Sequence, residues 1–195
     1  MRYKILDQQG MNFLTFTIVE WIDLFTRPVY CDMLLSSLRY CQEKKGLLLY
    51  AYVIMPSHMH LIMATEEETG LSPIIQSFKS YTAKQIINYL HDKKNPESRR
   101  TWLLNHFAFN ARKNSRNSIH QIWQRDNHPV LLYSPKLIRQ KLNYIHLNPV
   151  KARMVEKPKH YLMGSASNYE EGKGVLDVIV LDNIWHDVGY VGSWR

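Results

Sequence analysis

The chain is poor in cysteine, has no long apolar run and, through its middle, carries almost no acid. Only Cys31 and Cys41 occur among 195 residues, and both fall in a segment, 27–46, that reads as one helix. Their separation there is about 15 Å at ~1.5 Å rise per residue, too far for a disulfide. With no CxxC pair, a cysteine-based zinc site is also excluded, and two reduced, buried thiols are expected. No apolar run approaches the ~20 residues of a membrane-spanning helix. The N-terminus, MRYKILDQQGMNF, shows neither the apolar core nor the small-residue cleavage site of a secretory signal. With 45% hydrophobic and 22% charged residues, the composition is that of an ordinary globular domain. A cytoplasmic protein is the expectation.

What the middle has instead of acid is a surplus of base. The formal net charge is +8, and it is unevenly spread. Residues 79–116 hold nine Lys/Arg against Asp92 and Glu97, and residues 125–153 hold six against Asp126. A surface this one-sided calls for an anionic partner, nucleic acid first. Candidate phosphate contacts are Lys79, Lys84, Arg99, Arg100, Arg112, Lys113, Arg116, Arg125, Lys141 and Lys151. Trp102, Phe107, Phe109 and Trp123, scattered among them, could stack on unpaired bases.

The patterning mixes strands and helices without strict βαβ repetition. MNFLTFTIVEWI (11–22) reads as a strand, and RPVYCDMLLSSLRYCQEKKG (27–46) as a helix opened by Pro28 and closed by Gly46. LLLYAYVIMPSHMHLIMAT (47–65) reads as two strands joined at Pro56-Ser57. A helix over 71–93 follows, with Ser72 as expected N-cap and Pro73 at its first position. Residues 95–118 read as a basic insertion carrying a short helix. A last long helix opens at Ser134-Pro135 and should end or kink at Asn148-Pro149. The expectation is an α+β sandwich, an antiparallel sheet with helices on one face.

Two histidines, His58 and His60, interrupt the apolar VIMPSHMHLIM. Residues i and i+2 of a strand share a face, so two imidazoles would stand side by side, a donor pair suited to a divalent transition metal. By itself the pair is weak, since nine histidines make about 0.4 such triplets expected by chance. A histidine-triad nucleotide hydrolase would need a third histidine where Ile62 stands, which excludes that class. On the last helix, NYIHLNPVKARMV, Tyr144 and Asn148 are one turn apart on one face, beside the apolar stripe Ile138, Leu142 and Ile145. His146 points elsewhere. Tyr81 and Tyr133 have no metal-ligating partner four residues on within a matching motif.

MPSHMHLIM followed by YIHLNPVKA resembles the HUH single-tyrosine transposases, most closely the REP-associated tyrosine transposases. IWQRDNHP and KPKHYLMGSASNY extend the resemblance over most of residues 10–170. It implies an HUH endonuclease fold, an antiparallel sheet in a ferredoxin-like or RRM-like sandwich, over residues 1–170, with residues 171–195 a tail of unassigned role. It implies Tyr144 as nucleophile and His58, His60 and Asn148 as ligands of Mg²⁺ or Mn²⁺. The implied function is nicking and strand transfer of hairpin-flanked single-stranded DNA through a 5′-phosphotyrosine, in the cytoplasm and associated with the nucleoid. Homodimer and monomer both remain open. The rival readings are a hairpin-binding protein that no longer cuts, and an HUH replication initiator or relaxase.

Overall fold

The computed structural model describes residues 4–113 and 119–181. Four strands, β1 (Asn12–Thr17), β2 (Leu47–Met55), β3 (His58–Thr65) and β4 (Val130–Leu131), form one sheet in the order β2-β3-β1-β4. Every pairing is antiparallel, so the architecture is α+β with an antiparallel sheet packed by helices. Among the described residues the α-helices are α1 (Pro28–Lys45), α2 (Leu71–His91), α3 (Arg100–Arg112), α4 (Pro135–Lys151) and α5 (Ala166–Glu171).

Side-chain alternation sorts the strands into two cores. Leu14, Phe16, Tyr52, Ile54, Met59 and Leu61 pack with α1, α2 and α3. Phe13, Ala51, Val53 and Ile62 pack with Leu142 and Ile145 of α4. Helices therefore cover both faces, not one as expected. The reason lies in β2 and β3, which are apolar at nearly every position and must be shielded on both sides. Among the described residues no helix is long and apolar enough to cross a membrane.

Local chemistry explains most element ends. Pro28 opens α1, and Gly46 closes it at φ 63°, a left-handed turn that favours glycine. Cys31 and Cys41 are free and buried along that helix. Ser134 Oγ accepts from the Leu137 N–H, with Pro135 in the first turn of α4.

Two helix ends differ from expectation. The N-cap of α2 is Gly70, not Ser72. The N-terminal segment does the capping, because Gln8 accepts the Leu71 N–H on its backbone oxygen and the Ser72 N–H on its side chain. Nor does α4 stop at Asn148. It runs through buried Pro149 to Lys151, and the Ala152 and Met154 N–H groups close it on Asn148 and Pro149 carbonyls. Proline here forfeits only one hydrogen bond, in the last turn, while its ring is buried.

The chain after α4 covers the exposed edge of β2. Ile54 N–H donates to the Met163 carbonyl and Ser165 N–H to Tyr52. The hydroxyls of Tyr161 and Tyr169 donate to the carbonyls of Ile54 and Tyr50. The described part of the expected tail continues this lining. Leu176 is buried, Ile179 N–H donates to Leu49, and Arg39 and Gln42 of α1 donate to the carbonyls of Val175 and Asp177. An edge strand so covered cannot pair with another chain.

Candidate active site

The β1–β3 register places Thr15 opposite His60 and Thr17 opposite His58, on the sheet face that α4 covers. The two imidazole centroids are 4.8 Å apart. His60 Nδ1 is 2.8 Å from Thr15 Oγ1, and His58 Nδ1 is 3.2 Å from Ser57 Oγ. Phe13 stacks on His60 at 5.4 Å between centroids. His60 Nε2 lies 3.4 Å from the hydroxyl of Tyr144.

Packing of α4 delivers the tyrosine. Its buried stripe Leu142, Ile145 and Pro149 seats the helix on the sheet, and Tyr144 falls at the border, 40% exposed. Its ring meets His60 and Phe13 edge-on. Lys141, one turn earlier, holds its ammonium 4.5 Å from the Phe13 ring centroid and 5.7 Å from that of Tyr144. Asn148, one turn later, is half-buried and its side chain makes no hydrogen bond among the described residues.

Both imidazoles are held in the neutral form that ligates metals. Burial lowers the pKa of His58, and burial with the charges of His58 and Lys141 takes His60 down to about 3. The Thr15 contact fits a His60 that donates from Nδ1 and ligates through Nε2, the orientation that outer partners give metal-bound histidines. If Asn148 were to add its amide oxygen, the donor set would be N, N, O, a set that suits Mn²⁺ or Mg²⁺. Among the described residues no group of three His, Cys, Asp or Glu could hold a metal.

Other candidates sit elsewhere. His146 bonds Ser165 Oγ at 3.2 Å and packs on Tyr169; it braces α4 against α5. Tyr81 lies exposed on α2, and Tyr133 exposed before α4. Of the basic candidates, Lys141 adjoins the tyrosine and Lys151 is exposed at the end of α4. Lys79 is used inside the protein. Its ammonium donates to the Gln124 carbonyl and Asn127 Oδ1 at 2.6 and 2.7 Å, and burial lowers its pKa to about 8. Lys79 and Arg125 line a cleft against α2, and Lys84 is exposed on the same helix, so these three lie across the sheet from the histidines. Arg99 is paired with Asp23 and Glu97, and Arg100 donates to the Asn95 carbonyl. Arg112 ends α3 and Lys113 caps it; both are exposed, and Lys113 faces Glu20. Arg116 lies outside the described residues. Among the aromatics, Phe107 and Trp123 are core, which removes them as stacking platforms, whereas Trp102 and Phe109 are exposed.

Four contributors are not evident from the sequence: Thr15, Phe13, Ser57, whose hydroxyl meets His58, and Trp21. Thr15 and Phe13 share a face by alternation in β1, but only the register shows that this face meets His60. Trp21 packs edge-on against His58 at 5.3 Å. It follows Glu20, and both adopt φ 56°, a left-handed backbone that costs non-glycine residues roughly 1–3 kcal/mol each. The turn persists because Ile18 and Phe25 N–H groups clamp it to the carbonyls of Ser57 and Pro56, at the tip of the β2–β3 hairpin.

The family model described as "Transposase IS200 like" matches residues 21–124, more than half of the chain, and ends before α4. No curated protein matches. Among solved structures, the chain is similar to a REP-associated tyrosine transposase bound to a REP hairpin, with TM-score 0.62 and 17% identity over 88% of this chain and 85% of that one. That likeness speaks to the fold alone. A candidate transposase of Deinococcus radiodurans R1 matches at TM-score 0.41 and 15% identity, over 75% of this chain and 98% of that one.

Proposed function

This chain belongs to the IS200-like transposase family, and from that premise we propose that it nicks and rejoins single-stranded DNA through Tyr144. The observation that carries the reading is the Tyr144 hydroxyl, 3.4 Å from His60 Nε2 beside a second neutral imidazole, His58. A phenol poised at a two-histidine site is a nucleophile next to a place for charge neutralisation.

The residues divide the work. Tyr144 Oη attacks the scissile phosphorus in line, and the bond to the 3′ oxygen breaks. The phenol's proton is lost to solvent, and the departing oxygen takes one up as a 3′-hydroxyl. A 5′-phosphotyrosine remains, which conserves the energy of the broken link, so an incoming 3′-hydroxyl reverses the step without ATP. Lys141 holds positive charge beside the ring where the phosphate must sit. Thr15 and Phe13 fix the His60 ring, and Ser57 fixes His58. A divalent ion held by His58, His60 and Asn148 would supply Lewis-acid polarisation of the phosphate. Hairpin-flanked DNA is the substrate favoured here, by analogy with the hairpin-bound relative.

The test is incubation with single-stranded DNA bearing hairpins from the flanks of the protein's own gene, with and without Mn²⁺. A denaturing gel and mass spectrometry should show a metal-dependent adduct on Tyr144. Tyr144→Phe and His58→Ala should abolish it. Tight hairpin binding with no adduct from any flank would establish instead a binding protein that does not cut.

A further inference from the structure

We propose that Trp21 and the outer face of α3 form the track for the unpaired flank of the DNA, with bases stacked on Trp21, Trp102 and Phe109 and phosphates held by Arg112 and Lys113. The inference rests on the reading of the chain as a single-strand DNA enzyme, and adds where the strand runs.

Trp21 is 59% exposed yet packs against His58, so a base laid on its free face would lie beside the metal-site histidines. The sequence holds it there at the cost of two consecutive left-handed residues. A tryptophan kept in such a turn, mostly outside the core, contributes little to folding, and its exposed π-face is what an unpaired base stacks on.

The turn is pinned to α3. Glu20 accepts from His106 Nδ1 at 2.7 Å, and Lys113 Nζ lies 3.6 Å from its other oxygen. Trp102, His106, Phe109 and Lys113 recur at i, i+4, i+7 and i+11, which stacks them in one strip along the helix. Leu103, Phe107 and Ala111 are the buried residues of the helix and occupy a different face. Trp102 and Phe109 are nonetheless 46% and 48% exposed, so core packing does not account for them. Within the strip the Trp102 and His106 rings are 4.3 Å apart, and at its end Lys113 Nζ lies 4.1 Å from the Phe109 centroid, with Arg112 exposed beside it. Exposed π-faces with cations at one end suit a single strand, which offers unstacked bases beside its phosphates. A duplex keeps its base faces stacked, and an apolar protein partner would not favour Arg112 and Lys113 at the end of the strip.

The strand path is read in Tyr144→Phe protein, so that binding is measured without cutting. Fluorescence anisotropy compares a hairpin with an unpaired flank against the same hairpin without it. Trp21→Ala, and separately Trp102→Ala with Phe109→Ala, should weaken the flanked hairpin roughly tenfold per lost stack. The bare hairpin should bind unchanged, and Trp21→Phe should retain most of the flank's affinity. Bromouracil in the flank should photocrosslink to Trp21 or α3. Equal loss on both DNAs, or loss on neither, overturns the proposal, and circular dichroism confirms that each variant is folded. If wild-type protein forms no tyrosine adduct while the flank effect persists, the proposed function fails and the track stands. A normal adduct with no flank effect sinks the track alone.

Discussion

Thr15→Val tests the site at its least conspicuous point. Valine keeps the volume and the β-branch and removes only the hydroxyl 2.8 Å from His60 Nδ1. His60 is 5% exposed, so that nitrogen has little access to water in exchange. An unsatisfied buried polar group costs roughly 1–3 kcal/mol. Loss of an outer partner typically weakens metal binding ~10–100-fold, or about 1.4–2.8 kcal/mol at 1.4 per decade, so the two estimates agree. The half-saturating Mn²⁺ concentration for adduct formation should therefore rise by that factor, with the rate at saturating Mn²⁺ changed only a few-fold. Thr15→Ser, which restores the oxygen, should recover most of the affinity. Paramagnetic broadening of the His58 and His60 ring signals by Mn²⁺ reads the same affinity without any reaction. A folded Thr15→Val protein with unchanged Mn²⁺ dependence in both measurements would refute the claim that Thr15 orients the imidazole.

Two stability predictions rest on groups away from the tyrosine. Burial raises the Glu97 pKa, but its bonds from the Arg99 N–H and Tyr30 hydroxyl and the charges of Arg27 and Arg99 outweigh that and leave it below the usual range. Glu97→Ala should cost about 1–3 kcal/mol in urea unfolding, because it leaves the buried Tyr30 hydroxyl without its acceptor while Arg27 and Arg99 remain partly solvated; a loss under about 0.5 would contradict it. Burial holds His146 neutral, with its pKa lowered to about 4. The unfolded chain binds the proton from about pH 6.5 downward while the folded one resists until about 4, so stability falls as pH drops through that window. Between pH 7.5 and 5 the loss from this group should be about 1–2 kcal/mol, and His146→Gln should flatten the profile by that amount.

How much of the fold could be read in advance depended on how local its cause was. The Pro28 and Gly46 ends of α1, the Ser134-Pro135 start of α4 and the reversal at Pro56-Ser57 rest on neighbouring residues and were legible. The cap of α2 was not, because Gln8 supplies it from more than sixty positions away. Double-sided cover of the sheet departs from the one-sided expectation, although the unbroken apolar runs of β2 and β3 carry its cause. The basic residues were countable, but count gives no direction: Lys79 turns inward to Gln124 and Asn127, while Lys113 turns outward beside Glu20.

By itself the sequence determined that His58 and His60 share one strand face and that Tyr144 and Asn148 share one helix face, since periods of two and 3.6 are local geometry. It also fixed the chain's character as a polycation with a core. Only the tertiary structure decided that those two faces meet. The β1–β3 register set Thr15 against His60, and burial of Leu142 and Ile145 on the sheet turned Tyr144 toward the imidazoles. A clamp across the hairpin tip brought Trp21 to His58. Each of these depends on contacts between residues distant in the chain, which a single sequence does not pair.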